Sequence, residues 1–120
     1  MCRRAVSVRR ESGGELVPRC HVADGPLARL VGLLGTPDLA GDEALWLERC
    51  GSVHTVGMRI AIGCAFLDAS GRVLRVVDPL PPWRAARARG AASVLEVRAG
   101  RLAGIGIGER LVRHSTSGPT

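Results

Sequence analysis

Between Cys50 and Asp68 the chain gathers the residue types that do chemistry. Ser52, His54, Thr55, Met58 and Arg59 stand directly before Ile60 to Leu67, the most apolar run in the sequence. An imidazole, two hydroxyls and a guanidinium at the mouth of a buried strand are the kind of array that a loop presents from a rigid scaffold. His54 and Thr55 are adjacent and can orient a ligand or hold an oxyanion, above all with Arg59 or another arginine nearby. The structural alternative is that His54 satisfies buried carbonyls and Thr55 caps a turn, since buried polar groups are paired in any case.

Other residues point less sharply. Cys50 and His54 share a C-x3-H spacing, but a nucleophilic cysteine needs a base and a lowered pKa, and neither can be read from the sequence. Free cysteines are among the most buried residues, so Cys50 and Cys64 are assigned to the core. Glu96 sits inside an apolar strand. Either it points to solvent, or it is buried and needs an arginine, for which Arg29, Arg59 and Arg84 are the candidates. Glycines at 100, 104, 106 and 108 lack the Lys-Ser/Thr that ends a phosphate loop and read as turns.

The elements that must position these groups are mostly short strands. Segments 3–10 and 15–22 flank Glu11-Ser12-Gly13-Gly14 as a hairpin, with Pro18 confining the second strand to an edge or a bulge. Asp24-Gly25-Pro26 opens a helix whose Leu27, Leu30, Val31 and Leu34 share one face. Gly35 and Pro37 stop it, and Arg29 lies opposite that face. Strands follow at Ala44 to Cys50, Ile60 to Leu67 (buried on both faces) and Arg72 to Val77, with Asp68 to Gly71 as the turn between the last two. The three prolines of Asp78 to Trp83 predict an extended surface connection, and Trp83 to Arg89 a helical turn or a basic loop. Val94 to Arg98 and Arg110 to His114 complete the strands, Ala99 to Gly104 suits one helical turn, and 115–120 is a disordered tail.

The sum is a mainly β (α+β) domain over 1–114, a compact barrel-like or sandwich fold of six to eight short strands with one packed helix. A length of 120 residues suits one domain, and 46% hydrophobic residues with few aromatics demand an aliphatic core. The charge is +6, carried by arginine with no lysine, but the arginines are scattered and solvated faces account for most of them. Single-stranded nucleic acid is usually met with several aromatic platforms, which this composition cannot build, so no specific nucleic-acid partner is expected. Four cysteines without a CxxC pair argue against a zinc ribbon, and no metal or cofactor is expected. The charged start, and the lack of ~18 uninterrupted apolar residues, read as a cytoplasmic protein with reduced thiols and no membrane span.

One set of residues, taken in order, resembles a known family. These are Arg29-x-x-Gly32-Leu33-Leu34, Ser52-Val53-His54-Thr55-x-x-Met58-Arg59, Phe66-Leu67-Asp68-x-x-Gly71-x-Val73, Pro82-Trp83-Arg84, Val94-Leu95-Glu96-x-x-Ala99-Gly100 and Gly108-Glu109. They are similar to the prokaryotic domain-of-unknown-function family numbered 192 over residues 15 to 112. The resemblance implies a small, mainly β domain without an established activity, and a shared structural or ligand-binding role for His54, Thr55, Met58, Arg29 and Glu96. It also implies an aspartate after Ile62, where this chain has Gly63, and an aspartate where it has Glu109.

Three readings follow. The leading one is a noncatalytic binding or accessory protein for an anionic small molecule or acidic peptide, at a shallow site of His54, Thr55, Arg29, Arg84 and Glu96 with Met58 and Arg59 beside it. The second is a hydrolase or transferase using His54 as base. The third is a protein-interaction module docking through Asp78 to Trp83.

Overall fold

The structure, a computed structural model, describes residues 4–24, 43–57 and 60–115. Nine strands follow in chain order: β1 Arg4–Arg10, β2 Glu15–Asp24, β3 Glu43–Glu48, β4 Ser52–His54, β5 Ile62–Leu67, β6 Val73–Leu80, β7 Ala85–Arg87, β8 Ser93–Arg98 and β9 Leu111–Ser115. That exceeds the six to eight expected. The described residues contain no helix, and the helix predicted through Leu27 and Leu34 lies outside them, as do residues 116–120.

Seven strands form one sheet in the order β6-β5-β8-β3-β2-β1-β9, and β4 pairs with β7 in a separate ribbon. The pairing of β2 with β3 is parallel, and the others are antiparallel. The two edge strands of the large sheet meet at one corner, so the sheet curls into a half-barrel. There Arg72 bridges Arg110, the Gly108 N–H donates to the Val73 carbonyl at 2.8 Å, and the Leu111 N–H donates to the Gly71 carbonyl at 2.9 Å. Gly71 has a φ of 91°, and a Cβ on it would lie 2.7 Å from the Leu111 carbonyl oxygen. Only glycine permits that approach.

The strand alternation explains a core on two sides. Ala44, Trp46, Ala65, Leu67, Leu95 and Val97 face the barrel interior with Val8, Cys20, Val73 and Leu111. Their neighbours Leu45, Leu47, Cys64, Phe66 and Val94 face outward and are covered by Val53 of β4 and Ala86 of β7. β5 is therefore buried along its whole length, as its unbroken apolar sequence predicts.

Local sequence sets several details. Pro18 falls in the interval where β2 advances three residues against two of β1, the bulge that its missing N–H requires. β6 continues through a cis Asp78-Pro79 bond to Leu80, so the first part of the proline-rich segment is an edge strand rather than a connection. Segment 85–87, expected as a helical turn or loop, is a strand because β4 offers it a partner. Residues 99–104 form turns and no helix.

The 99–108 loop plugs the barrel. It buries Leu102 in the interior, worth about 2 kcal/mol for a leucine side chain. Asp78 on β6 holds it from one side, Oδ1 accepting from the Gly100 N–H at 2.7 Å and Oδ2 from the Leu102 N–H at 2.9 Å. Arg10 on β1 holds the other side, donating to Glu109 and to the Gly104 carbonyl. That pairing keeps the Glu109 carboxyl below the usual carboxylate range, with a smaller contribution from the Gly106 N–H.

Candidate functional site

The β4–β7 ribbon carries the site. Ser52 lies opposite Arg87, Val53 opposite Ala86 and His54 opposite Ala85. Val53 and Ala86 point into the protein, which leaves Ser52, Ala85 and Arg87 on the outside. Beyond β4, Thr55 closes the ribbon end. Its N–H donates to the Arg84 carbonyl at 2.8 Å, and its carbonyl accepts the Trp83 N–H at 2.9 Å.

The Thr55 hydroxyl is fully buried and fully used. It accepts from the Arg84 N–H at 2.9 Å and donates to the Pro81 carbonyl at 2.6 Å. Burial keeps the hydroxyl away from any ligand. Thr55 is a clamp on the 81–84 turn, the structural alternative for this residue. What the clamp holds is unusual: Trp83 has a φ of 62° and is 63% exposed. A bulky residue in the left-handed region costs about 1–2 kcal/mol and persists only where its surroundings fix it.

Two concavities flank the ribbon. One of about 350 Å³ is lined by Ser52, Val53, His54, Ala85 and Arg87 with Arg75 of β6. The other, about 470 Å³, is lined by Gly51, Ser52, Arg87, Ala88 and Arg89. Arg75 donates to the Arg87 carbonyl at 2.7 Å, which ties the sheet edge to the ribbon. Arg84 is exposed and donates to the Trp83 carbonyl at 3.2 Å. Among the described residues, no carboxylate forms an ion pair with Arg75, Arg84, Arg87 or Arg89.

His54 lines the smaller concavity with a half-buried ring, and its Nδ1 is enclosed without a hydrogen-bond partner among the described residues. An imidazole acting as general base is normally oriented through its second nitrogen, and among the described residues no carboxylate does so. Glu96 is 1% exposed. It lies on the sheet face that the ribbon covers, in register with Cys64 on one side and Leu45 on the other. Arg84 does not pair with it. Arg29, Met58 and Arg59 lie outside the described residues.

The structure thus brings His54, Thr55 and Arg84 onto one ribbon, with Glu96 on the sheet beneath. Ser52 of the opening cluster joins them, and the structure adds Arg75 and Arg87, which the sequence does not single out as site residues. Arg75 alternates with the apolar Leu74 and Val76 along β6, so its outward direction was readable. Its approach to Arg87 was not, since that depends on how the ribbon is laid across the sheet.

Two of the buried thiols, Cys20 and Cys64, are held neutral. Burial pushes Cys20 up to about 12, with Arg113 opposing. Burial raises Cys64 as well, and the nearby Glu96, Asp78 and Cys50 raise it further. Neither is a nucleophile in this state. Cys20, Cys50 and Cys64 are buried, in line with the assignment of Cys50 and Cys64 to the core. Among the described residues no group of three or more His, Cys, Asp and Glu comes together around a metal position, and no helix is long and apolar enough to cross a membrane.

Comparison with known proteins places these features in a family context. The model of DUF192, described as Uncharacterized ACR, matches residues 8–112. No curated protein matches the chain. Among solved structures, it is similar to a candidate transcription regulator from Sinorhizobium meliloti 1021, with a TM-score of 0.76 and 21% identity over 93% of this chain and 94% of the other. It is equally similar to a protein of unknown function from Novosphingobium aromaticivorans DSM 12444, with a TM-score of 0.76 and 23% identity over 90% of this chain and 83% of the other. At these identities the likeness speaks for the fold.

Proposed function

The chain belongs to the DUF192 family, and from that premise we propose that it is a noncatalytic, single-domain binding or accessory protein for an anionic ligand, received on the β4–β7 ribbon. One observation carries this reading: Arg75, Arg87 and Arg89 line the concavities beside the ribbon, and Arg84 is exposed at its end, all without a carboxylate partner among the described residues. From Pro79 to Leu95 the sequence contains no acidic residue at all. Guanidinium groups left in this way form strong, geometrically specific hydrogen bonds to carboxylate or phosphate. His54 supplies a second polar group at the rim, while Thr55 acts only by shaping the turn. We place the protein in the cytoplasm, where buried thiols such as Cys20 and Cys64 stay reduced.

Titration calorimetry with citrate, succinate, inorganic phosphate and glucose tests the reading. An anion binds the wild-type protein, glucose does not, and Arg87→Ala weakens the anion about tenfold, as loss of one charge-assisted hydrogen bond implies. Failure of every anion to bind, or equal binding by Arg87→Ala, ends it.

A further inference from the structure

We infer that the occupant of the ribbon is an acidic segment of another protein, anchored by an apolar side chain on Trp83. This inference rests on the anion-binding reading and narrows it. Three features carry it together.

The first is the apolar tip. Trp83 is 63% exposed and Val56, the residue after the clamp, is 53% exposed. Exposed large apolar residues are few among the described residues, and two of them stand on the turns that Thr55 joins through the Trp83 N–H and the Arg84 carbonyl. A rigid, exposed tryptophan is a preferred anchor at protein interfaces.

The second is how Trp83 is held. Its left-handed backbone is unfavourable for a large side chain, and the buried Thr55 hydroxyl fixes the residues on both sides of it. The chain thus spends a fully buried polar side chain on presenting a tryptophan to water. Folding alone gives no reason for this, whereas a preorganised anchor does.

The third is reach. From Trp83 to Arg87 an extended backbone runs roughly 13 Å, and Arg84, Arg87 and Arg89 are exposed along and just beyond it. A small carboxylate can engage only one end of such an array. An extended peptide of alternating apolar and acidic character engages both the indole and the guanidinium groups. A single aromatic beside an aliphatic neighbour is also a poor base-stacking track, which usually needs successive aromatic platforms.

Selection from a displayed library of random dodecapeptides against the full chain tests the inference, followed by fluorescence anisotropy on the enriched sequences. Enriched peptides carry an acidic run next to an aromatic or aliphatic residue. Trp83→Ala weakens them at least ~30-fold, Arg87→Ala about tenfold, and Arg101→Ala, on the far loop, leaves them unchanged. Trp83→Asn, which tolerates the left-handed backbone, separates loss of the indole from loss of the turn and weakens binding as much as Trp83→Ala. Absence of enrichment, or peptides that bind Trp83→Asn as well as wild type, overturns the inference. If citrate or phosphate still binds through Arg87 in that case, only the peptide falls. If no anion binds either, the anion-binding reading falls with it. Tighter binding of single-stranded RNA than of any enriched peptide also overturns the inference.

Discussion

The carboxyl carbon of Asp78 lies 2.9 Å from the point where a Cβ on Gly63 would stand. The two residues therefore share one volume, and glycine on β5 is what lets the aspartate of β6 turn in to hold the 99–108 loop. The family resemblance implies an aspartate at position 63. A carboxylate does stand at this place in the barrel, supplied from the neighbouring strand and occupied with the Gly100 and Leu102 N–H groups.

Gly63→Ala should therefore destabilise the protein by about 1–3 kcal/mol through overpacking against Asp78 and the Val97 methyl, which lies 3.0 Å from the added carbon. Asp78→Ala should cost about 3 kcal/mol, because two backbone donors lose a charged acceptor. The double variant should cost clearly less than the sum, since the clash disappears with the aspartate. Urea unfolding of the four proteins measures all three quantities, and strict additivity would contradict the shared volume.

Thr55→Val should destabilise by about 2 kcal/mol, because the Pro81 carbonyl and the Arg84 N–H both lose the buried hydroxyl. Thr55→Ser keeps the hydroxyl and should recover most of that. Indole fluorescence should also change in Thr55→Val, since Trp83 is positioned by the same turn. A stability equal to wild type would remove the clamp.

Trp83→Asn should leave stability unchanged or raise it by up to about 1 kcal/mol. The indole is mostly in water and contributes little burial, while asparagine is better tolerated at a φ of 62°. Thermal melts decide the matter. A large loss would mean that the exposed ring supports the fold.

The acid limb of stability should follow Glu109 and Asp68. Both carboxyls lie below their ordinary values, Glu109 chiefly through Arg10 and Asp68 chiefly through the Ser70 hydroxyl. A carboxylate held lower in the folded state than in the unfolded chain binds fewer protons there. It contributes its stability above the ordinary range and loses it as pH falls through the folded value. Urea midpoints should thus decline from about pH 5 downwards, and Glu109→Gln should flatten that decline while lowering the midpoint at pH 7.

The strands that were legible in the sequence are those whose own composition demands burial or a turn. Ile62 to Leu67 has no polar residue to spare for water, Asp68 to Gly71 contains the glycine its corner needs, and Pro18 announces its bulge. β7 was hidden because Ala85-Ala86-Arg87 has little strand preference of its own and forms through pairing with β4. The role of Thr55 was legible only as an alternative, since a threonine before a turn looks the same whether it faces a ligand or the Pro81 carbonyl. The approach of Arg75 to the arginines of the ribbon was invisible for a simpler reason. Arg75 and Arg87 are distant along the chain, and only the fold of the ribbon onto β6 makes them neighbours.

The pairing of β1 with β9 also has a consequence for biosynthesis. Val6 meets Ser115 and Arg10 meets Leu111, so the outer edge of the first strand stays bare until nearly all of the described chain has left the ribosome. Until then Val8 and its interior neighbours lack Leu111, and an unpaired edge stands open to other nascent chains. Maturation must therefore end with closure of the corner at Arg72 and Arg110, and a stalled or truncated translation product would be a target for chaperones and proteases rather than a smaller working protein.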